Sequence, residues 1–264
     1  MDNRPIGVFD SGIGGLTVVS ALKKILPNET IIYVGDTARV PYGNKSTDRI
    51  RQYSIEIIEW LIMNNCKMIV VACNTASSLV LDYLISNTSI PIVGVIDPVV
   101  QKAIRLTKNN KIAVLGTYAT IRSNAYGKRL KAINSKVQVV SQACPLFVPL
   151  VEEGWIKGEV PKQIADSYFL KLKQINVDTV ILGCTHYPFL KNTIRKILGR
   201  SSTLIDSGEA TSKTVFSILK KMNSFSDNSD SKINCYVTDD PILFNEVAER
   251  FVIRNIDNVT HIDL

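Results

Sequence analysis

The chain has 264 residues, 45% hydrophobic and 21% charged, enough to bury a substantial core and too apolar for disorder over most of its length. Its net charge of +7 suits an anionic ligand, but Lys and Arg are scattered. The densest basic stretches, 126–131 and 191–200, have helix-like spacing and few aromatics, which reads as solvated surface rather than a nucleic-acid interface.

No apolar run approaches the roughly 18 residues of a membrane span, and the N-terminus enters a strand pattern without a secretory signal. Five widely spaced cysteines with no C-x-x-C pair argue against a disulfide framework or structural zinc site. They fit a reducing cytoplasm, where free thiols persist.

In chain order, the pattern opens with a strand over 5–10, a glycine-rich loop "FDSGIGGLT" (9–17) and a helix over 16–26. The loop is not a dinucleotide fingerprint: with Gly12 and Gly14 as the first two glycines, the third would fall at Thr17. A helix N-terminus with free N–H groups can still hold a carboxylate. Asp10 and Ser11 stand at the strand end, where they can meet a ligand, and Asp10 can equally cap the helix.

A strand over 30–36 leads into "GDTARVPYGNKS" (35–46), too polar and irregular for a core element, with a turn at Pro41-Tyr42-Gly43. A helix follows over 47–65, with Thr47 as cap and Ile50, Tyr53, Ile57 and Leu61 on one face. The next strand, 68–74, stops at Cys73 and is followed by two small polar residues, Asn74 and Thr75. Strands over 90–96, 111–117 and 137–143 come next.

In "CPLFVPLVEEGW" (144–155) Glu152 and Glu153 follow a proline-broken apolar stretch, which places one of them toward a cleft. A helix over 161–175 precedes a strand over 179–185, whose end carries Cys184, Thr185 and His186. A strand over 202–207, a polar surface loop over 224–232, and a strand, helix and short strand over 233–251 and 259–264 complete the pattern.

Alternation of near-continuous apolar strands with helices predicts an α/β fold with parallel sheets covered on both faces. Such sheets bind ligands beyond the C-terminal ends of their strands. A weak internal echo points to two similar α/β domains facing one cleft: each half has one strand ending in Asp-Ser or Gly-Thr and a later one ending in Cys.

A single buried Cys is usually a small hydrophobe, and Cys66, Cys144 and Cys235 read that way. Cys73 and Cys184 occupy matching positions in the two halves. A thiolate is both nucleophile and base, so a facing pair can take a proton from one side of a carbon and return one on the other. Disulfide exchange is the alternative, and it would need adjacent sulfurs. His186, beside Cys184, is placed to tune the thiol or relay a proton.

At these residues the chain resembles the glutamate racemase family of the cofactor-independent aspartate/glutamate racemase superfamily. The matching stretches are "FDSGIGGLTV" (9–18), "YVGDTARVPYG" (33–43), "VACNTAS" (71–77), "GTYAT" (116–120), "CPLFVPLVEEG" (144–154), "LGCTHYP" (182–188) and "IDSGEAT" (205–211). They occur in the family's order, and jointly they are specific. The tail from 212 resembles the family only loosely.

The resemblance implies interconversion of L- and D-glutamate, supplying D-glutamate for bacterial peptidoglycan, with no pyridoxal phosphate, other cofactor or metal. It implies two pseudo-symmetric α/β domains, 1–97 with 208–264 and 98–207, with the active site in the cleft between them, and a homodimer, the common assembly in the family. Carried onto this sequence, Cys73 and Cys184 are the acid/base catalysts. Asp10, Ser11, Tyr42, Gly43, Asn74, Thr75, Thr185 and His186 bind substrate, and Asp10, Asp36, Glu152 and His186 assist.

Ser78 stands where the family often has alanine. With nine residues before Asp10, the activation by a cell-wall precursor associated with an N-terminal extension in some members is not expected. Two competing readings are racemisation of aspartate or a related acid, and a non-catalytic binding protein.

Overall fold

The computed structural model describes residues 1–199, 202–250 and 256–264. Arg200, at the end of the second basic stretch, and Phe251, at the end of the run 233–251, lie outside the described residues.

The chain begins β1 (Ile6–Asp10), α1 (Leu16–Ile25), β2 (Ile31–Gly35), two short 3-10 turns at Thr37–Arg39 and Tyr42–Asn44, α2 (Thr47–Met63), β3 (Met68–Val71), α3 (Asn74–Leu79), α4 (Leu81–Ser86) and β4 (Ile92–Gly94). It continues α5 (Ile96–Leu106), β5 (Lys111–Gly116), α6 (Tyr118–Ser123), α7 (Ala125–Ile133), β6 (Gln138–Ala143), α8 (Phe147–Glu152), α9 (Glu159–Ile175) and β7 (Thr179–Gly183). After a 3-10 turn at Tyr187–Leu190 come α10 (Lys191–Leu198), β8 (Thr203–Ile205), α11 (Ser207–Met222), β9 (Ile233–Val237), α12 (Pro241–Arg250) and β10 (Asn258–His261). No described helix is long and apolar enough to cross a membrane.

The strands form two sheets, ordered β10-β9-β2-β1-β3-β4 and β6-β5-β7-β8. Every pairing is parallel, as the sequence pattern predicts. The reason is visible in burial: β1, β2, β3 and β7 are buried at every residue, because helices cover both faces. The edge strands β6 and β10 are largely exposed or half-buried. One continuous apolar cluster joins Val8 and Val70 of the first sheet to Leu115 and Leu182 of the second. Each such buried side chain contributes about 1.5–3 kcal/mol relative to exposure.

Several boundaries differ from the sequence reading for local reasons. The cap of α2 is Ser46, whose side chain accepts from the Arg49 N–H at 3.4 Å, so Thr47 is the first helical residue and not the cap. The predicted strand over 202–207 is confined to Thr203–Ile205, because Asp206 caps α11 by accepting from Glu209 N–H at 3.3 Å. The strand over 90–96 stops at Gly94, since Ile96 already opens α5.

The chain passes between the sheets twice. It leaves the first through α5, returns through α11, and these two crossover helices pack on each other. The loop 224–232 has no regular structure but is anchored at its start: the fully buried Lys67 ammonium donates to the carbonyls of Asp2 (2.7 Å) and Ser224 (2.8 Å). Glu29, itself buried, pairs with Lys67 at 2.6 Å and accepts from Ser226 N–H at 2.9 Å.

Candidate active site

The C-terminal ends of β1, β3, β5 and β7 converge on a cavity of about 420 Å³. Ser11, Tyr42, Gly43, Cys73, Asn74 and Thr75 line it from the first sheet's side. Thr117, Glu152, Cys184, Thr185 and His186 line it from the second. All five cysteines are free and buried, and only Cys73 and Cys184 reach this cavity.

The two thiols sit in different fields. Cys73 follows β3 after one intervening residue, at the N-cap of α3, and its sulfur accepts from Ala76 N–H at 3.5 Å and lies 3.7 Å from Ser11 Oγ. Burial, reinforced by the nearby Asp10 carboxylate, pushes the Cys73 thiol up to about 12. Cys184 instead has His186 Nδ1 3.9 Å from its sulfur. His186 Nε2 lies 3.0 Å from Glu152 Oε1. Burial pulls the imidazole down, but its hydrogen bonds to Cys184 and Glu152 outweigh burial and raise it to about 10. One sulfur therefore sits where a neutral thiol is favoured, and the other faces an imidazolium.

Asp10 and Asp36 stand behind the cavity wall rather than in its lining. Asp10 accepts from the N–H groups of Gly12 (3.3 Å) and Gly15 (3.0 Å) and takes Thr185 Oγ1 at 3.5 Å. The chain's own carboxylate thus occupies donors at the start of α1 that the sequence left open for a ligand. Burial raises the Asp10 carboxyl against the opposing pull of His186 and these amides. Asp36 accepts from the Tyr42 hydroxyl, from Arg39 Nε (2.7 and 2.9 Å) and from Thr238 Oγ1 (2.9 Å), so it acts on the cavity through Tyr42.

Gly14 keeps the wall thin: a Cβ there would lie 2.3 Å from Thr185 Oγ1 and 2.5 Å from His186 Nδ1. Of the two carboxylates after the proline-broken stretch, Glu152 lines the cavity, and both Glu152 and Glu153 line a neighbouring one.

Residues 7–215 match the Asp/Glu/hydantoin racemase family model. The chain is 46% identical to the glutamate racemase of Geobacter metallireducens over 262 residues, 99% of this chain and 97% of that protein. The chain belongs to the aspartate/glutamate/hydantoin racemase family. Its fold superposes on a glutamate racemase isoform, RacE1, of Bacillus anthracis with a TM-score of 0.96 at 39% identity, covering 100% and 99% of the two chains. The Francisella tularensis glutamate racemase, solved with D-glutamate, gives 0.93 at 39% identity, covering 100% and 98%.

Around this racemase-family cavity stand residues that sequence reading did not single out. Thr117 and Thr120 tie down Thr75 Oγ1 at 3.0 and 3.3 Å. Tyr126 and Ser207 meet Asn74 (2.6 and 3.4 Å), and Arg39 braces Asp36. Thr117, Thr120 and Ser207 lie inside matched motifs, but Tyr126 lies in a stretch whose only sequence signal was basic charge.

The charge on His186 has a thermodynamic consequence. Between its ordinary 6.5 and its folded value of about 10, the native state binds more protons than the unfolded chain. The stabilisation is therefore full below pH 6.5 and is lost as pH rises through 10. In urea unfolding under reducing conditions, the wild type's margin over Glu152→Gln should be largest near pH 6 and shrink toward pH 10. A margin independent of pH would show that the Glu152 bond does not hold the imidazole charged.

Proposed function

We propose that the protein interconverts L- and D-glutamate by two-base proton transfer, without cofactor, and supplies D-glutamate for peptidoglycan. The observation that carries this is the placement of Cys73 and Cys184 at matching strand ends of two sheets, both lining one cavity. Full-length likeness to glutamate racemases supports the substrate, as does the D-glutamate bound in the Francisella relative.

In this reading one cysteine starts as thiolate and the other as thiol, with His186 beside Cys184. The thiolate takes the α-proton of one enantiomer and becomes a thiol. The opposite thiol gives its proton to the other face of the planar carbanion and becomes a thiolate. Atoms and charge balance, and the pair ends with its protonation states exchanged, ready for the reverse direction.

Ser11, Tyr42, Gly43, Asn74, Thr75, Thr185 and His186 would hold the substrate, and Asp10, Asp36 and Glu152 would assist from behind or beside it. Fixed donors in a closed cavity stabilise charge that grows on the carboxylate as the proton leaves. The domains 1–97 with 208–264 and 98–207 would be the two lobes of the cleft, in a homodimeric cytoplasmic enzyme.

The test is an assay of purified protein, free of pyridoxal phosphate and metal, for conversion of L-glutamate to D-glutamate, with L-aspartate in parallel. Glutamate turnover well above aspartate turnover is expected. Faster turnover of aspartate, or none of either, would overturn the assignment.

A further inference from the structure

Asn74 is buried, lines the cavity, and leaves its Nδ2 amide with no partner. Its other end is crowded: Oδ1 accepts from the Tyr126 hydroxyl at 2.6 Å and from Ser207 Oγ at 3.4 Å. Both hydroxyl residues are themselves buried. They come from distant parts of the chain, Tyr126 from α7 and Ser207 from the first turn of α11.

We propose that Tyr126 and Ser207 are positioning residues, fixing the side-chain amide of Asn74 so that Nδ2 faces the cleft as a donor to a carboxylate of the amino-acid substrate. The inference rests on the racemase reading above.

The two ends of an amide have the same shape and opposite hydrogen-bonding character. With Oδ1 turned inward, both hydroxyl protons have an acceptor, since a carbonyl oxygen offers two lone pairs. With the amide reversed, Asn74 would accept neither. Even if one hydroxyl then donated to the other, one buried proton would be left without an acceptor, and unmet buried donors are costly. The reversed amide would also present an oxygen to an anionic substrate. Burial raises the Tyr126 phenol above its ordinary range, which keeps it a donor. The orphaned Nδ2 is thus a binding group held ready before substrate arrives.

A carboxylate is already charged in the ground state, so misdirecting the amide should appear mainly in KM, and only the extra charge that grows on it as the proton leaves should be read in kcat. Tyr126→Phe is expected to raise KM for L-glutamate about tenfold, in line with loss of a hydrogen bond to a charged group, with kcat within about threefold. Ser207→Ala should raise it about threefold through its longer bond, and it carries the same comparison if Tyr126→Phe does not fold.

The deciding measurement is a double-mutant cycle. With Asn74→Ala in place, neither Tyr126→Phe nor Ser207→Ala should raise KM further, because there is no amide left to orient. Multiplied losses in the double mutants, or a fall in kcat with KM unchanged, would assign the pair a purely structural role and overturn the proposal. Inactive wild type on L-glutamate would instead sink the racemase reading beneath it.

Discussion

Cys73→Ser and Cys184→Ser should each lower racemisation of L-glutamate by about 10²–10⁴-fold, the range associated with losing a positioned acid or base. A serine hydroxyl fits either site, but it is a far weaker acid than a thiol and cannot take the thiol's part in proton exchange. Each sulfur is needed in each direction, once to take a proton and once to give one, so neither single mutant should retain turnover from either enantiomer. Following optical rotation from both L- and D-glutamate, with solvent deuterium incorporation in parallel, reads both halves of the exchange. Near-wild-type racemisation by either mutant would exclude the two-base assignment.

The second large effect concerns stability, far from the cavity. Lys67→Met should cost about 3–5 kcal/mol, the range for breaking a buried ion pair on one side only. The ammonium is fully buried, with Glu29 Oε2 at 2.6 Å and the carbonyls of Asp2 and Ser224 at 2.7 and 2.8 Å. Removing it strands the Glu29 carboxylate in the interior and frees the polypeptide on both sides of it. Lys67→Met combined with Glu29→Leu should recover much of the loss, since replacing both charges by apolar groups is far less costly than orphaning one. Urea unfolding at pH 7 measures this. A single-mutant loss under about 1 kcal/mol would show that the pair is not held dry.

The parallel α/β class was legible because β1, β2, β3 and β7 are almost continuously apolar and buried at every residue, a pattern that a sheet covered on both faces requires. The cavity's location was legible because cysteines at strand ends break that pattern without a structural need. Short-range geometry was less so. Nothing in "FDSGIGGLT" says that Asp10 will turn back onto Gly12 and Gly15, leaving those amides closed to a ligand carboxylate.

Contacts between distant residues were not legible at all. Tyr126 meets Asn74 across 52 positions, and Thr238 meets Asp36 across 202. A hydroxyl with no local pattern carries no sign of the partner that the fold brings to it. Motif matches located Ser207 without showing that it touches Asn74.

The return of the chain through α11 also has a consequence for synthesis on the ribosome. Strands β5 to β8 are contiguous in sequence, so the second sheet can close on itself as a nascent unit. The first cannot: β2 obtains its outer neighbour, β9, only after the whole second sheet has been made. Until then a buried-type strand presents an open, apolar edge, the kind of surface that invites pairing with another chain. The sheet begun first is therefore completed after the second, and β9 and β10 act as its seal.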